Sequence, residues 1–170
     1  MNNSNSEFIK YFGKEKWEEG EILYVINEIA GNISRDYLGL EPIPVIFEEI
    51  PGNISVLDIK EKYIKLNPKY KNDLITLIAS LSHELEHYYQ LVYVKSYDTP
   101  KAKRWKLELE NYITDQNPNG NELQEIEIDA EAFAKVILIT EFGIEYHNPN
   151  SMLDWIIDEY IKSKKILSDD

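Results

Sequence analysis

The stretch from Asn72 to Val94, NDLITLIASLSHELEHYYQLVYV, decides how the chain is read. Leu74, Leu77, Ile78, Leu81, Leu85, Tyr88 and Val92 recur close to a 3.6-residue period, the stripe of an amphipathic helix. Asn72 or Asp73 stands where a cap belongs, so the spacing predicts a helix from there to about Val94. Within it lies His83-Glu84-Leu85-Glu86-His87. His83 and His87 are four residues apart and therefore sit one above the other on one helix face. Two steps from Leu81 to His83 turn about 200° around the axis, so the histidines look away from that apolar stripe, into a cleft.

Two imidazoles at this spacing can reach one metal ion. Glu84, beside the first of them, can reach a water at the metal without ligating it. Such a water has a pKa near 7, so a carboxylate can take its proton and pass it on to a leaving amine. The blander alternative is a solvated helix face carrying His83, Glu84, Glu86 and His87. Against it, two of the chain's three histidines fall inside the motif. A zinc site also wants a third protein ligand and one open position. The segment Glu125-Ile126-Glu127-Ile128-Asp129-Ala130-Glu131-Ala132-Phe133-Ala134 offers carboxylates on a facing helix. Glu127 and Glu131 lie one turn apart, and Ala130 and Ala134 let two helices approach closely.

His83-Glu84-Leu85-Glu86-His87 followed by Glu127 to Ala134 resembles the gluzincin pattern H-E-x-x-H, then E-x-x-A-(D/N)-x-F-A, of ImmA/IrrE-type metallopeptidases from phages and mobile elements. Tyr63-Ile64-Lys65-Leu66-Asn67 is similar to the strand that precedes the metal helix in that type. The resemblance covers roughly residues 42 to 142. It implies that Glu127 is the third zinc ligand, with one zinc ion per chain, and that Glu131 orients a ligating histidine from behind. It also implies a minimal zincin-like fold. The chain departs from the pattern in three ways. The His87–Glu127 interval is lengthened by a helix containing Trp105, Glu86 replaces a small residue, and no helix-turn-helix appendage is recognisable.

Asp129 is the closest competitor to Glu127 as ligand, but two residues on it points elsewhere on a helix. His147 is a candidate for stabilising an oxyanion, against the plainer reading of a loop histidine in solvent. Tyr88, Tyr89 and Tyr112 are weaker candidates for the same role, because packing explains them equally well. The segment 99–116 is either a lid or a packed insertion.

The remaining sequence surrounds this centre with a single α+β domain over residues 1–170, mostly helical. Its order is a helix, a small sheet, three helices and a closing helix. A first helix is expected over Lys14–Ala30, with Trp17, Ile22, Val25, Ile26 and Ile29 on one face. Short strands are expected at 42–47, Ile54–Ile59 and Lys62–Leu66, forming a small antiparallel or mixed three-stranded sheet packed on the metal-binding helix. Pro51-Gly52-Asn53 reads as a turn. The alternation of charge and apolar groups in Tyr63–Leu66 suits an edge strand, which would pair with an extended substrate. Thr99-Pro100 opens a helix to about Thr114, and Asn117-Pro118-Asn119-Gly120 is a loop. Asn121 with Gln124 resembles a capping box for a helix that Gly143 stops after Phe142. Ser151 would cap the last helix, ending near Ile166.

Composition bounds the partners. A formal net charge of −13 disfavours nucleic acid and anionic membrane surfaces. No apolar run is long enough to span a bilayer, and the first residues lack the pattern of a signal peptide. The absence of cysteine excludes disulfides and thiolate metal sites and suits the cytoplasm. The expected activity is that of a zinc-dependent endopeptidase with Glu84 as general base, acting on a protein or peptide. The alternative is a regulatory zincin-fold protein that binds a repressor-like or toxin partner and cuts little. A nucleic-acid mimic is a third option, diluted by 18 scattered basic residues.

Overall fold

The computed structural model of the protein describes residues 6–111 and 124–168. In order, it contains α1 (Glu19–Ile33), β1 (Val45–Phe47), β2 (Ser55–Asp58), β3 (Tyr63–Leu66), α2 (Leu74–Ser96), α3 (Pro100–Glu110), α4 (Glu125–Phe142) and α5 (Ser151–Ser168). The class is α+β: mostly helical, with one mixed three-stranded sheet.

The sheet order is β1-β3-β2, with β1 parallel and β2 antiparallel to the middle strand. Tyr63–Leu66 is thus the central strand, which corrects the edge position expected from its mixed composition. Burial explains the difference. Ile64 and Leu66 point into the core, while Tyr63 and Lys65 lie on the opposite, half-covered face. Alternation alone does not distinguish such a strand from an edge. The outer side of β1 is closed by Asn27 of α1. Its Oδ1 accepts from Val45 N at 2.9 Å and its Nδ2 donates to Val45 O at 3.0 Å. A side-chain amide thereby replaces a neighbouring strand. The other edge strand, β2, borders the cleft described below.

α2 is the spine. Asp73 caps it, accepting from Thr76 N at 3.1 Å and Thr76 Oγ1 at 2.8 Å. Asn72 serves a different purpose and accepts from Trp17 N at 3.2 Å. Leu74, Leu77, Ile78, Leu81 and Leu85 enter the main core with Ile22, Ile26 and Ile29 of α1, Ile64 and Leu66 of β3, and Ile137, Leu138 and Phe142 of α4. Burying such side chains contributes about 1.5–3 kcal/mol each. The sheet packs on α2, whose most extensive contact is with α4.

Several boundaries differ from those expected. α1 begins at Glu19 rather than Lys14, and β1 covers Val45–Phe47 rather than 42–47. α3 ends at Glu110 rather than near Thr114. α4 begins at Glu125, with Gln124 at the cap position; Asn121, Tyr112 and the Asn117–Gly120 loop lie outside the described residues. The donors at the start of α4 are met from another helix. Glu108 of α3 accepts from Glu125 N at 3.2 Å and from Ile126 N at 3.0 Å. At α5 the cap is Asn150, whose Oδ1 accepts from Met152 N at 3.1 Å and Leu153 N at 3.3 Å, rather than Ser151. Gly143, at φ 68°, ends α4 in the left-handed conformation a glycine tolerates.

Candidate metal centre

The face of α2 opposite the main core carries a second, polar stripe: His83, Glu86, His87 and Gln90. These recur at three- and four-residue intervals, so they line one side of the helix. α4 lies against that side and brings Glu127, Asp129 and Glu131. Ala130 and Ala134 of α4 are buried, and their small side chains permit the close approach.

His83, His87 and Glu127 converge, and one donor atom from each lies within 4.8 Å of the others. The two Nε2 atoms are 2.9 Å apart. Glu127 Oε2 is 3.5 Å from His83 Nε2, and Oε1 is 3.3 Å from His87 Nε2. A tetrahedral ion with bonds of about 2.0–2.2 Å needs ligand atoms about 3.3–3.6 Å apart. The three side chains fit that requirement with small adjustments and could hold a metal ion.

The proton inventory points the same way. His83 Nδ1 lies 3.0 Å from Glu131 Oε1, at the distance though not the alignment of a good hydrogen bond. His87 Nδ1 lies 2.9 Å from Gln90 Oε1. With Nδ1 facing an acceptor in each ring, each Nε2 turns a lone pair toward the other. Such an arrangement repels unless a cation sits within it. Without a metal ion, a proton takes that place. Burial pushes the His83 imidazole toward the neutral form, but Glu127 and Glu131 outweigh it and raise its pKa well above the usual value. Burial likewise disfavours the Glu127 carboxylate, yet contact with His83 and His87 wins and holds it well below the usual range. Glu131 is lowered by the same competition.

Glu84 is buried and points toward the sheet, where its Oε1 accepts from Ser55 Oγ of β2 at 2.8 Å. Two clefts meet at His83 and Glu84. One is lined by Asn53, Ser80, Glu131 and Tyr146, and the other by Val56, Leu57, Leu91, Leu109 and Ile126. One side of the centre is therefore polar and the other apolar. Asn67 steadies the loop at the junction, its Nδ2 donating to Ile50 O at 2.9 Å and Asn53 O at 3.1 Å.

Asp129 turns to the far side of the α2–α4 contact. Tyr160 of α5 donates a short hydrogen bond to its Oδ1, and Gln90 Nε2 donates to its Oδ2 at 3.4 Å. Glu86 faces it, and burial together with Asp129 raises the Glu86 pKa well above the usual value. The unusual glutamate of the motif is thus a buried acid on the α4 side. His147 stands apart from the centre, 68% exposed and 3.0 Å from Asp154 Oδ2. Tyr88 packs against the main core, while Tyr89 meets Tyr93 and Trp105. Trp105 is fully buried, so α3 is a packed element; its Leu109 forms one wall of the apolar cleft.

Four residues with roles here were not among the sequence candidates: Ser55, Gln90, Glu108 and Tyr146. Gln90 carried a signal, since it lies three residues beyond His87 on the histidine stripe. Ser55, Glu108 and Tyr146 reach their places only through tertiary packing. No protein-family model matches the chain, and neither does any curated protein or solved structure.

Proposed function

We propose that the protein is a zinc-dependent hydrolase of the zincin type, an endopeptidase related in its motifs to the ImmA/IrrE metallopeptidases and working in the cytoplasm. One observation carries the reading. Two imidazole nitrogens face each other at 2.9 Å across a buried carboxylate, and Glu84 stands at the same cleft. A purely structural histidine pair has no need of a neighbouring carboxylate lining the same cleft. The all-nitrogen-and-oxygen donor set suits zinc, and three protein ligands leave a position open for chemistry. When bound, zinc supplies a Lewis acid that polarises a carbonyl and acidifies water.

The chain's own residues do the rest. Ser55 fixes Glu84 through Oε1 and leaves Oε2 to take the proton of the attacking water and hand it to the leaving amine. Tyr146 lines the polar cleft, where burial and then Glu131 raise its pKa, so it stays protonated and can donate to the carbonyl oxygen. An extended peptide pairs with the edge of β2, not with β3, and places an apolar side chain among Val56, Leu91, Leu109 and Ile126.

The test is cleavage of an unbiased peptide library with zinc content measured for every variant. The parent protein is expected to hold about one zinc per chain and to cut next to apolar residues. Glu84→Gln should lower turnover by about 100-fold or more with zinc retained, because an amide keeps the shape but cannot take the proton. His83→Ala should instead lose the metal. A Glu84→Gln protein that cuts as fast as its parent removes the mechanism. A parent that binds zinc and cuts nothing shifts the reading to a regulatory binding protein.

A further inference from the structure

Gln90 is fully buried and uses both ends of its amide. Its Nε2 donates to the backbone carbonyl of Ile126 at 2.9 Å and to Asp129 Oδ2 at 3.4 Å. Its Oε1 meets His87 Nδ1 at 2.9 Å. The orientation of the amide is not a free choice. Turned over, its oxygen would face a carbonyl and a carboxylate oxygen, two acceptors with no proton between them. The Ile126 carbonyl, held in the first turn of α4, therefore dictates that Oε1 faces the imidazole. An oxygen facing Nδ1 in turn requires the proton of neutral His87 to sit on Nδ1. That leaves the Nε2 lone pair aimed at His83 and Glu127.

We infer that Gln90 is a positioning residue for the metal centre. It locks His87 in the Nδ1–H tautomer and holds the ring in its ligating orientation, and the Ile126 carbonyl and Asp129 fix Gln90 itself. The inference rests on the metal-centre reading above and adds a residue that touches neither metal nor substrate. Glutamine is the side chain this place demands. A carboxylate would accept from His87 but would oppose Ile126 O and Asp129 with a buried charge, and an apolar chain of the same length would do neither task. The two ligating histidines are consequently backed differently, His83 by the carboxylate of Glu131 and His87 by a neutral amide. Asp129 has a role in this account without being a ligand, and Tyr160 ties that support to α5.

Two measurements test it together. Long-range proton–nitrogen NMR correlation on the metal-free parent protein, at a pH where His87 is neutral, reads the tautomer directly and needs no variant. Zinc affinity, by competition with a chromogenic chelator, is then compared for the parent, Gln90→Met and Gln90→Glu. The expected results are a His87 Nδ1–H signature in the parent and zinc binding weakened about 10–100-fold in both variants. Cobalt substituted for zinc should show an altered visible spectrum in Gln90→Met. A predominant Nε2–H tautomer overturns the inference, as does a folded Gln90→Met that binds zinc within threefold of the parent. A variant that fails to fold leaves the parent's tautomer to decide. A parent that takes up no zinc defeats the functional reading, while the NMR result still judges Gln90.

Discussion

At the scale of single residues, the proposed metal centre sets proton and metal in competition for one place. In the metal-free protein the two carboxylates around His83 favour its protonated form, whereas a metal ligand must be a neutral imidazole. Metal uptake should therefore release a proton from His83, and zinc affinity should rise with pH until that proton is gone. Calorimetric titration in two buffers of different ionisation enthalpy counts the protons released. Equal heats in both buffers would show that His83 was already neutral. Ser55 makes a separate prediction. Removing its hydroxyl leaves Glu84 able to turn away from the cleft, at a cost of about 1 kcal/mol for a lost hydrogen bond. Ser55→Ala should slow turnover roughly fivefold while zinc content stays at the parental level. Loss of zinc in that variant would mean that Ser55 supports the metal helix as a whole rather than the base.

At the scale of elements, α4 has a starting point that its own sequence does not supply. Glu127 lies in its first turn, where a frayed helix would carry this candidate ligand out of place. Glu108 prevents this by accepting two of the otherwise unpaired backbone N–H groups, and a carboxylate also favours the positive end of the helix dipole. Glu108→Ala should cost about 1 kcal/mol, which for a chain of this length lowers Tm by roughly 2–4 °C. It should weaken zinc binding as well. Glu110→Ala is the control, because among the described residues Glu110 makes only an exposed contact with Lys106. Equal melting temperatures for both variants would leave α3 without a capping role. This case also marks the limit of what was legible in the sequence. The apolar period and its cap announced α2, and the H-E-x-x-H spacing placed two imidazoles on one face. The carboxylate run pointed to α4. All of that is local information. The parallel β1–β3 pairing that puts β3 in the middle, the Ser55–Glu84 hydrogen bond and the cap from Glu108 each join residues at least 17 positions apart. No local period encodes such pairings. His147 was singled out for its chemistry, and its neighbour Tyr146 turned out to face the cleft, because exposure is decided by the packing of the loop against α5.

For the whole molecule, α5 closes the outer side of α4, and its hold on the fold is partly electrostatic. The buried ammonium of Lys135 on α4 lies 2.8 Å from Asp154 Oδ1 and 2.7 Å from Asp158 Oδ1 on α5. Asp154 also accepts from Asn148 N at 2.9 Å and faces His147, so it gathers α4, α5 and the loop between them. Burial opposes the Asp154 carboxylate, but the hydrogen bonds from Lys135 and Asn148 prevail and bring its pKa down to about 2, from an ordinary 3.8. A carboxyl whose pKa is lower in the folded than in the unfolded chain contributes its stability above the unfolded value and loses it as pH falls through the folded one. The contribution of Asp154 should accordingly be complete at neutral pH and fade between about pH 4 and pH 2. Asp154→Asn leaves the Lys135 charge with Asp158 alone, so a cost of about 2 kcal/mol is expected, or roughly 5 °C in Tm. Asp158→Asn should cost less, since that side chain is far more open to water. Thermal melts of the parent and both variants from pH 7 to pH 2 make the comparison. The gap between parent and Asp154→Asn should be widest at pH 7 and narrow steadily below pH 4. A gap that stays constant down to pH 2 would show that the ion pair contributes nothing and that Asp154 holds the loop by shape alone.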